Sequence, residues 1–194
     1  MRVLPILQVL AVALCAPAPL TSSRADQPAS SGEVRKLCET VLCRKPGLVR
    51  VILDNGKPFE TTFESPLPIV QNGWVSVFPG ETVFVEAEVS GDHLVNLRAV
   101  KNKEHPEKTL TFEFSQEAGS PSMMLIVTNP FERTLKYHAG MVLPANDNLL
   151  KTTTCPVIGG GRMAFESWPN AILQLKLFDF RLLDGGATQS VCEF

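Results

Sequence analysis

The sequence predicts an all-β fold, an antiparallel β-sandwich, for most of this 194-residue chain. About eight short segments alternate apolar and polar side chains, which is the period of a strand with one buried face. Turn-forming pairs separate these segments at intervals of about 8–12 residues, a spacing typical of sandwiches. We therefore expect one β-sandwich domain over residues 48–194, preceded by two short segments of other character.

Residues 1–25 predict a signal peptide. Arg2 supplies a positive charge, and residues 3–14 (VLPILQVLAVAL) form an apolar stretch of the length that signal peptides use. A transmembrane helix needs about 20 apolar residues, so this stretch is too short to span a bilayer comfortably. Ser23 and Ala25 are small residues at the two positions that the peptidase reads, which predicts cleavage after Ala25.

Two other interpretations of the N-terminus are open. Cleavage before Cys15 would give a lipid anchor, but Leu14 stands where a small residue is normally required. A buried helix of a cytosolic protein would have to continue past Pro17 and Pro19, which break helices. We therefore expect a periplasmic or secreted protein with no transmembrane segment in the mature chain. The absence of any N-x-[ST] sequon and the Ala/Pro-rich leader favour the periplasm.

The charge of the mature chain argues against a polyanionic partner. Removal of residues 1–25 leaves 169 residues with 16 basic and 20 acidic side chains, a net charge of −4. A weakly acidic chain of this size has no electrostatic reason to bind nucleic acid or an anionic lipid surface.

Four cysteines remain after cleavage, and an even number in an oxidising compartment predicts disulfides. Of the three possible pairings we favour Cys38–Cys43, a local loop, together with Cys155–Cys192. The second bridge would tie the chain's end to its body and close a long loop, which constrains the unfolded state more. A zinc site would need closely spaced pairs at both ends of the chain, and Cys155 and Cys192 are far apart.

Residues 26–47 are predicted to be a linker followed by a short segment clipped by the first disulfide. Residues 26–32 are polar, and residues 33–44 place apolar side chains at helical spacing, so a short helix is possible there. Five residues correspond to about 140° of rotation around a helix. The helix must therefore break or end between Cys38 and Cys43 if these two pair.

The strands follow from residue 48 onward. Asn55-Gly56 and Asn72-Gly73 are hairpin turns, because both residue types accept a positive φ, and Pro79-Gly80 is a third turn. Residues 123–127 (MMLIV) suit a strand covered on both faces. Three further strands each gather apolar residues on one face: Val83, Val85, Ala87 and Val89; Leu110, Phe112 and Phe114; Leu135, Tyr137, Ala139 and Met141.

The last segments are less regular. Residues 144–170 are rich in turn formers and are predicted to be a long irregular loop. Residues 171–183 predict a strand with one extra residue near Leu177, that is, a β-bulge, although a helix competes. Such a bulge would turn six side chains inward: Leu173, Leu175, Leu177, Phe178, Phe180 and Leu182. The whole pattern resembles that of immunoglobulin-like sandwiches.

The sequence contains no recognisable catalytic motif and no metal-binding spacing. His93, His105 and His138 share no ligand spacing with one another or with a cysteine. Glu86 and Glu88 lie on one strand face and are interpreted as a solvated surface. No nucleophile elbow, zinc-protease or phosphate-loop motif is present. We expect no catalytic residue, no metal and no cofactor.

The predicted loop at residues 144–170 carries the candidate binding residues. Loops longer than about 12–15 residues are uncommon and often functional. This one contains Arg162, Met163, Phe165 and Trp168, and aromatic residues are frequent at interface hot spots. The alternatives are that these side chains cap the open end of the sandwich, and that Gly159–Gly161 with Arg162 forms an anion-binding nest.

The expected function is therefore that of an exported, non-catalytic β-sandwich that binds a protein partner. Contact would be made by the predicted loop or by an exposed sheet edge, which can accept a strand from the partner. The alternative is a small extracytoplasmic hydrolase or metal-binding protein whose site is dispersed along the chain. A convergent pocket that holds His138 together with carboxylates would support that alternative.

Overall fold

The computed structural model describes residues 31–144, 146–184 and 192. The predicted signal peptide, the candidate lipidation site Cys15 and most of the predicted linker lie outside these residues, and they remain predictions. The described chain begins with helix α1 (Ser31–Leu37) and continues almost entirely as strands, all paired antiparallel.

The strands are β1 (Cys43–Arg44), β2 (Gly47–Ile52), β3 (Pro58–Phe63), β4 (Leu67–Pro68), β5 (Val70–Gln71), β6 (Trp74–Val77), β7 (Glu81–Ser90), β8 (His93–Val100), β9 (Thr109–Gln116), β10 (Met123–Asn129), β11 (Thr134–Leu143), β12 (Asn146–Thr152), β13 (Arg162–Trp168) and β14 (Gln174–Leu183). The all-β antiparallel class is thus confirmed, while the immunoglobulin-like assignment remains a prediction.

Ten strands form one hydrogen-bonded sheet in the order β12-β11-β14-β8-β7-β9-β10-β13, with β6 on β14 and β5 on β6. Strands β14 and β8 share a single residue pair, Arg181 with His93, so the sheet divides there into two halves. The Tyr137 hydroxyl on β11 donates a 2.8 Å hydrogen bond to Glu166 on β13, near the other end of the strand order. The halves therefore face each other as two layers.

The core fills the space between these layers. Phe112 of β9 lies 6.0 Å from Phe180 of β14, and Phe180 lies 6.0 Å from Tyr137 of β11, measured between ring centroids. Large apolar side chains from both halves are fully buried, and their removal from water is the main favourable contribution to folding. They include Leu110, Phe112, Phe114, Met123, Leu125, Leu135, Leu175, Leu177 and Leu182.

The β2–β3 hairpin forms a separate two-stranded sheet that is attached to the edge of the core. Val49 and Val51 of β2 are buried. The Gln116 side chain at the end of β9 accepts a hydrogen bond from the Ile52 amide (2.7 Å) and donates one to the Ile52 carbonyl (2.9 Å). One side chain therefore supplies both bonds that a neighbouring strand residue would make.

Both predicted disulfides are present, Cys38–Cys43 and Cys155–Cys192. Helix α1 ends at Leu37, before Cys38, and a turn carries the chain to Cys43 at the start of β1. This is the geometry that the first bridge required. Arg44 then donates to the carboxylate of Glu81, which ties β1 to the start of β7.

The prediction of an irregular loop over residues 144–170 is wrong. The segment contains β12 and β13, which are the two end strands of the large sheet. Strand β13 does alternate, but with inverted polarity: Met163 and Phe165 face solvent, and Glu166 is buried. Ala164 and Trp168 share the inner face with Glu166 and pack against the core, so apolar residues lie on both faces of β13 and do not mark the buried one.

The predicted strand over residues 171–183 is confirmed as β14, and the competing helix is wrong. The bulge of β14 lies at Asp179, two residues beyond the predicted Leu177. Lys136 pairs with Arg181 and His138 with Phe178, so Tyr137 alone stands opposite both Asp179 and Phe180. Asp179 has a φ of 55°. Phe178 consequently lies on the outer side with Asp179, and its predicted inward orientation is wrong.

Two further side chains are more exposed than predicted: Val89 of β7, and Met124 of β10, so the expectation that residues 123–127 are covered on both faces is wrong. At a second bulge, Ala87 of β7 stands opposite both Leu97 and Asn96 of β8, and Asn96 has a φ of 51°. Val83, Val85 and Ala87 are buried as predicted, but Val89 lies beyond the bulge and is exposed.

Candidate functional site

Strand β13 ends the large sheet and has one free edge. It pairs with β10 from Met123–Trp168 to Asn129–Arg162, along its whole length. In the part of the chain that the structure describes, no backbone hydrogen bond joins the other edge of β13 to another segment. Unpaired amide and carbonyl groups on such an edge can accept a further strand.

The outer side of β13 carries two large apolar side chains. Met163 is 58% exposed and Phe165 is 63% exposed. Phe165 stands opposite the half-buried Ile126 of β10, and the exposed Met124 lies two residues from Ile126 on the same face. We call Met124, Ile126, Met163 and Phe165 the β13 patch. Contiguous exposed apolar residues of this kind mark interaction surfaces in soluble proteins.

The other two candidate residues from the sequence have different surroundings. Trp168 is half-buried, donates a 2.7 Å hydrogen bond from Nε1 to Thr152 Oγ1, and packs edge-on against Phe114. It thus closes the two layers at their edges, which is the capping role that the sequence left open. Arg162 is exposed at the start of β13.

The glycine run before β13 does not form an anion-binding nest. The Gly160 amide donates to the Phe131 carbonyl and the Gly161 amide to the Asn129 carbonyl, at 2.8 and 2.9 Å. A Cβ on Gly159 would lie 2.2 Å from the Glu132 carbonyl oxygen, so this position requires glycine for close backbone approach. These amides are engaged within the protein.

A buried polar cluster behind β13 was missed at the sequence level. Glu166 is 7% exposed, and its Oε1 accepts hydrogen bonds from the Tyr137 hydroxyl (2.8 Å) and the Cys155 amide (2.9 Å). Burial raises the pKa of the Glu166 carboxyl, while these two bonds and the charge of Lys136 oppose the rise. The pKa of Tyr137 is raised well above its usual range, first by burial and then by Glu166. The only sign of this cluster in the sequence is the single acidic residue, Glu166, between Phe165 and Trp168.

The interpretation of Glu86 and Glu88 as a solvated surface is right for Glu88 and wrong for Glu86, which is 5% exposed. Glu86 is buried and bonded at 2.6 Å to Arg98, and this hydrogen bond lowers the pKa of Glu86 against the opposing effect of burial. Glu88 is exposed and accepts a hydrogen bond from Asn96.

His138 lies on the outer side of β11. Its Nδ1 is 3.2 Å from Asp179, whose carboxylate also receives two hydrogen bonds from Arg181. His93 contacts Asp92 and His105 contacts Glu107, each on the protein surface. Among the described residues, no three or more His, Cys, Asp or Glu side chains come together as a metal site.

No helix in the described ranges is long and apolar enough to cross a membrane. Comparison of the chain with protein-family models, with curated proteins and with solved structures finds no match of any of the three kinds.

Proposed function

We propose that this chain is an exported, non-catalytic binding protein that holds a protein partner on the β13 patch and along the free edge of β13. The observation that carries the proposal is the inverted polarity of β13, which leaves Phe165 and Met163 more than half exposed on an end strand. An extended segment of the partner would pair with the backbone of β13 and cover the patch with its side chains.

The patch is large enough to matter for affinity. Full burial of one large apolar side chain is worth about 1.5–3 kcal/mol. Because Met163 and Phe165 are each a little over half exposed, covering both would contribute on the order of 2–4 kcal/mol before the cost of ordering the partner. Since about 1.4 kcal/mol is a tenfold change in affinity, loss of both side chains would be readily measurable.

Two disulfides support a location outside the cytosol, because cytosolic thiols are kept reduced.

The hydrolase alternative is less well supported. His138 has Asp179 beside it, but Arg181 occupies that carboxylate with two hydrogen bonds. We therefore favour binding over catalysis.

Affinity capture of the mature protein from a native periplasmic extract tests the proposal. The double variant Met163→Ser/Phe165→Ser is compared with the wild type and with Leu48→Ser/Val89→Ser. The control removes two apolar side chains of similar exposure, 57% and 51%, on β2 and β7. We expect one protein to be captured by the wild type and the control and to be lost with the β13 variant. Equal capture by all three proteins would contradict the proposal.

A further inference from the structure

A small hollow lies on the outer side of the layer that contains β11, β12 and β14. It has a volume of about 40 Å³ and is lined by His138, Ala139, Lys151 and Phe178. Gly140, the next residue of β11, has no side chain, and Leu149 of β12 packs against its Cα so closely that a Cβ would lie 2.7 Å from Leu149 Cγ. A hollow of this size has room for a few water molecules, and hence for one carboxylate or phosphate group.

The bulge in β14 shapes one wall of the hollow. Successive strand residues normally alternate between faces, but the extra residue places Phe178 and Asp179 together on the outer side. Both contact His138: the ring centroids of Phe178 and His138 are 5.7 Å apart, and Asp179 lies 3.2 Å from Nδ1. Asp179 has a φ of 55°, similar to that of Asn96 in the β8 bulge, and Asp is one of the non-glycine residues that tolerate this conformation.

An aromatic surface leads away from the hollow. Trp74 of β6 stacks on Phe178 with ring centroids 4.4 Å apart and planes inclined by 19°, and Trp74 is itself exposed. Trp74, Phe178 and His138 thus form a continuous row across three strands. Flat rings of a ligand pack favourably against such aromatic side chains.

The charges near the hollow are mainly positive, although the mature chain is net acidic. Lys151 lines the hollow directly. Lys176 stands two residues from Phe178 on β14, whereas the ammonium of Lys136 on β11 donates to the Thr154 carbonyl at 2.8 Å. The negative charge of Asp179 is paired with Arg181 through two hydrogen bonds. Apolar walls with a few convergent polar groups are typical of small-molecule sites.

We propose that this surface binds a small aromatic anion, with its carboxylate or phosphate group in the hollow between Lys151 and His138. The aromatic body of the ligand lies against Phe178 and Trp74. Asp179 contacts Nδ1 and so holds the imidazole of His138 in place at the wall of the hollow. The site lies on β6, β11, β12 and β14, so it is separate from the β13 patch and independent of the function proposed above.

Titration of the isotopically labelled mature protein with benzoate and with phenyl phosphate tests this site. Resonances of the His138 ring and the Trp74 indole report binding directly. Benzyl alcohol, which has no charge, and acetate, which has no ring, are the matched probes. We expect saturable shifts with benzoate, phenyl phosphate or both, and weaker binding of the two matched probes. The tighter of the two aromatic anions identifies the head group. Absence of saturable shifts, or equal affinity for benzyl alcohol, would overturn the proposal.

Three variants locate the site. Lys151→Met removes one exposed cation, and we expect about a two- to fivefold loss of affinity for the bound anion. Trp74→Leu removes the outer ring, and about a two- to tenfold loss is expected. Lys57→Met removes an exposed lysine in the turn between β2 and β3 and should leave affinity unchanged. Equal affinities of the Lys151 and Lys57 variants would place the anion elsewhere and contradict the assignment.

Discussion

Glu166 differs in environment from every other side chain of β13. It is a buried acid on a strand that exposes Met163 and Phe165, and it accepts hydrogen bonds from Tyr137 and Cys155. These contacts join β13 to β11 and to the segment that carries the second disulfide. A buried acid that is satisfied in this way fixes the relative position of the segments it bonds.

The free energy of unfolding should reflect the titration of Glu166. Because burial raises its pKa in the folded state, the unfolded chain ionises at lower pH than the folded one. The contribution of Glu166 to stability is therefore complete below the unfolded pKa and is lost as pH rises through the folded pKa. Glu166→Gln keeps an acceptor oxygen and does not titrate. We expect the stability of the wild type relative to this variant to fall as pH is raised from about 4 to 7, measured by urea unfolding.

Tyr137→Phe and Glu88→Gln provide the comparison for this experiment. Loss of the Tyr137 hydroxyl removes one donor from buried Glu166, and we expect a loss of about 1–3 kcal/mol in unfolding free energy. Glu88 is exposed, so Glu88→Gln makes the same substitution on the surface and leaves the buried cluster of Glu166 and Tyr137 intact. A constant difference between wild type and Glu166→Gln over this pH range would show that Glu166 does not titrate as described.

At the scale of elements, Gln116 supplies the side-chain hydrogen bonds that attach the β2–β3 hairpin, and Phe63 of β3 adds a stacked contact with Phe78. Gln116→Ala removes both of its hydrogen bonds to Ile52, and we expect a loss of about 1–3 kcal/mol together with faster exchange of the Ile52 amide. Gln116→Glu keeps the acceptor for that amide and loses the donor. Its Ile52 amide should remain more protected than in the alanine variant. Unchanged Ile52 protection in Gln116→Ala would mean that the hairpin is held by apolar contacts such as those of Val49, Val51 and Phe63.

The elements also show which parts of the fold the sequence could predict. Strands such as β9 were predictable because Leu110, Phe112 and Phe114 alternate with polar residues and are all buried, although Thr111 on the other face is buried as well. Strand β13 was not, because its buried acid and exposed Phe165 reverse that relation. The alternation of apolar and polar residues predicts a strand only where the apolar residues are the buried ones. A strand that exposes apolar residues to solvent cannot be predicted from this alternation.

The bulge in β14 illustrates a second limit. The change of parity between Lys176 and Asp179 revealed that one residue is extra, which the structure confirms. Its position depends on the positive φ of Asp179, a conformation that the residue type permits but does not require. The sequence therefore named Met163 and Phe165 as candidates from composition, but it did not reveal the row formed by Trp74, Phe178 and His138. That row requires three strands to be placed side by side.

For the whole molecule, the two layers are held together at the β14–β8 junction by few backbone bonds. Arg133 strengthens this junction, since its guanidinium donates to the carbonyls of Gly91 (2.8 Å) and Leu182 (2.6 Å). The Leu182 amide also donates to the Asp92 carbonyl. At the opposite side, the layers meet through Trp168 and Thr152. Closure of the sandwich thus depends on side chains as much as on strand pairing.

The disulfides stabilise the whole molecule by lowering the conformational entropy of the unfolded chain. Cys155–Cys192 spans 37 residues and Cys38–Cys43 spans 5. Loop-closure entropy assigns stabilisations of about 4 and about 2 kcal/mol to loops of these lengths. We expect Cys155→Ser/Cys192→Ser to lose more unfolding free energy than Cys38→Ser/Cys43→Ser, by about 2 kcal/mol, measured by chemical denaturation under non-reducing conditions. The local pair is the matched control because it also removes one bridge. An equal or reversed order of stability would mean that the bridges act through native contacts near Glu166 or α1, and not through the length of chain that they close.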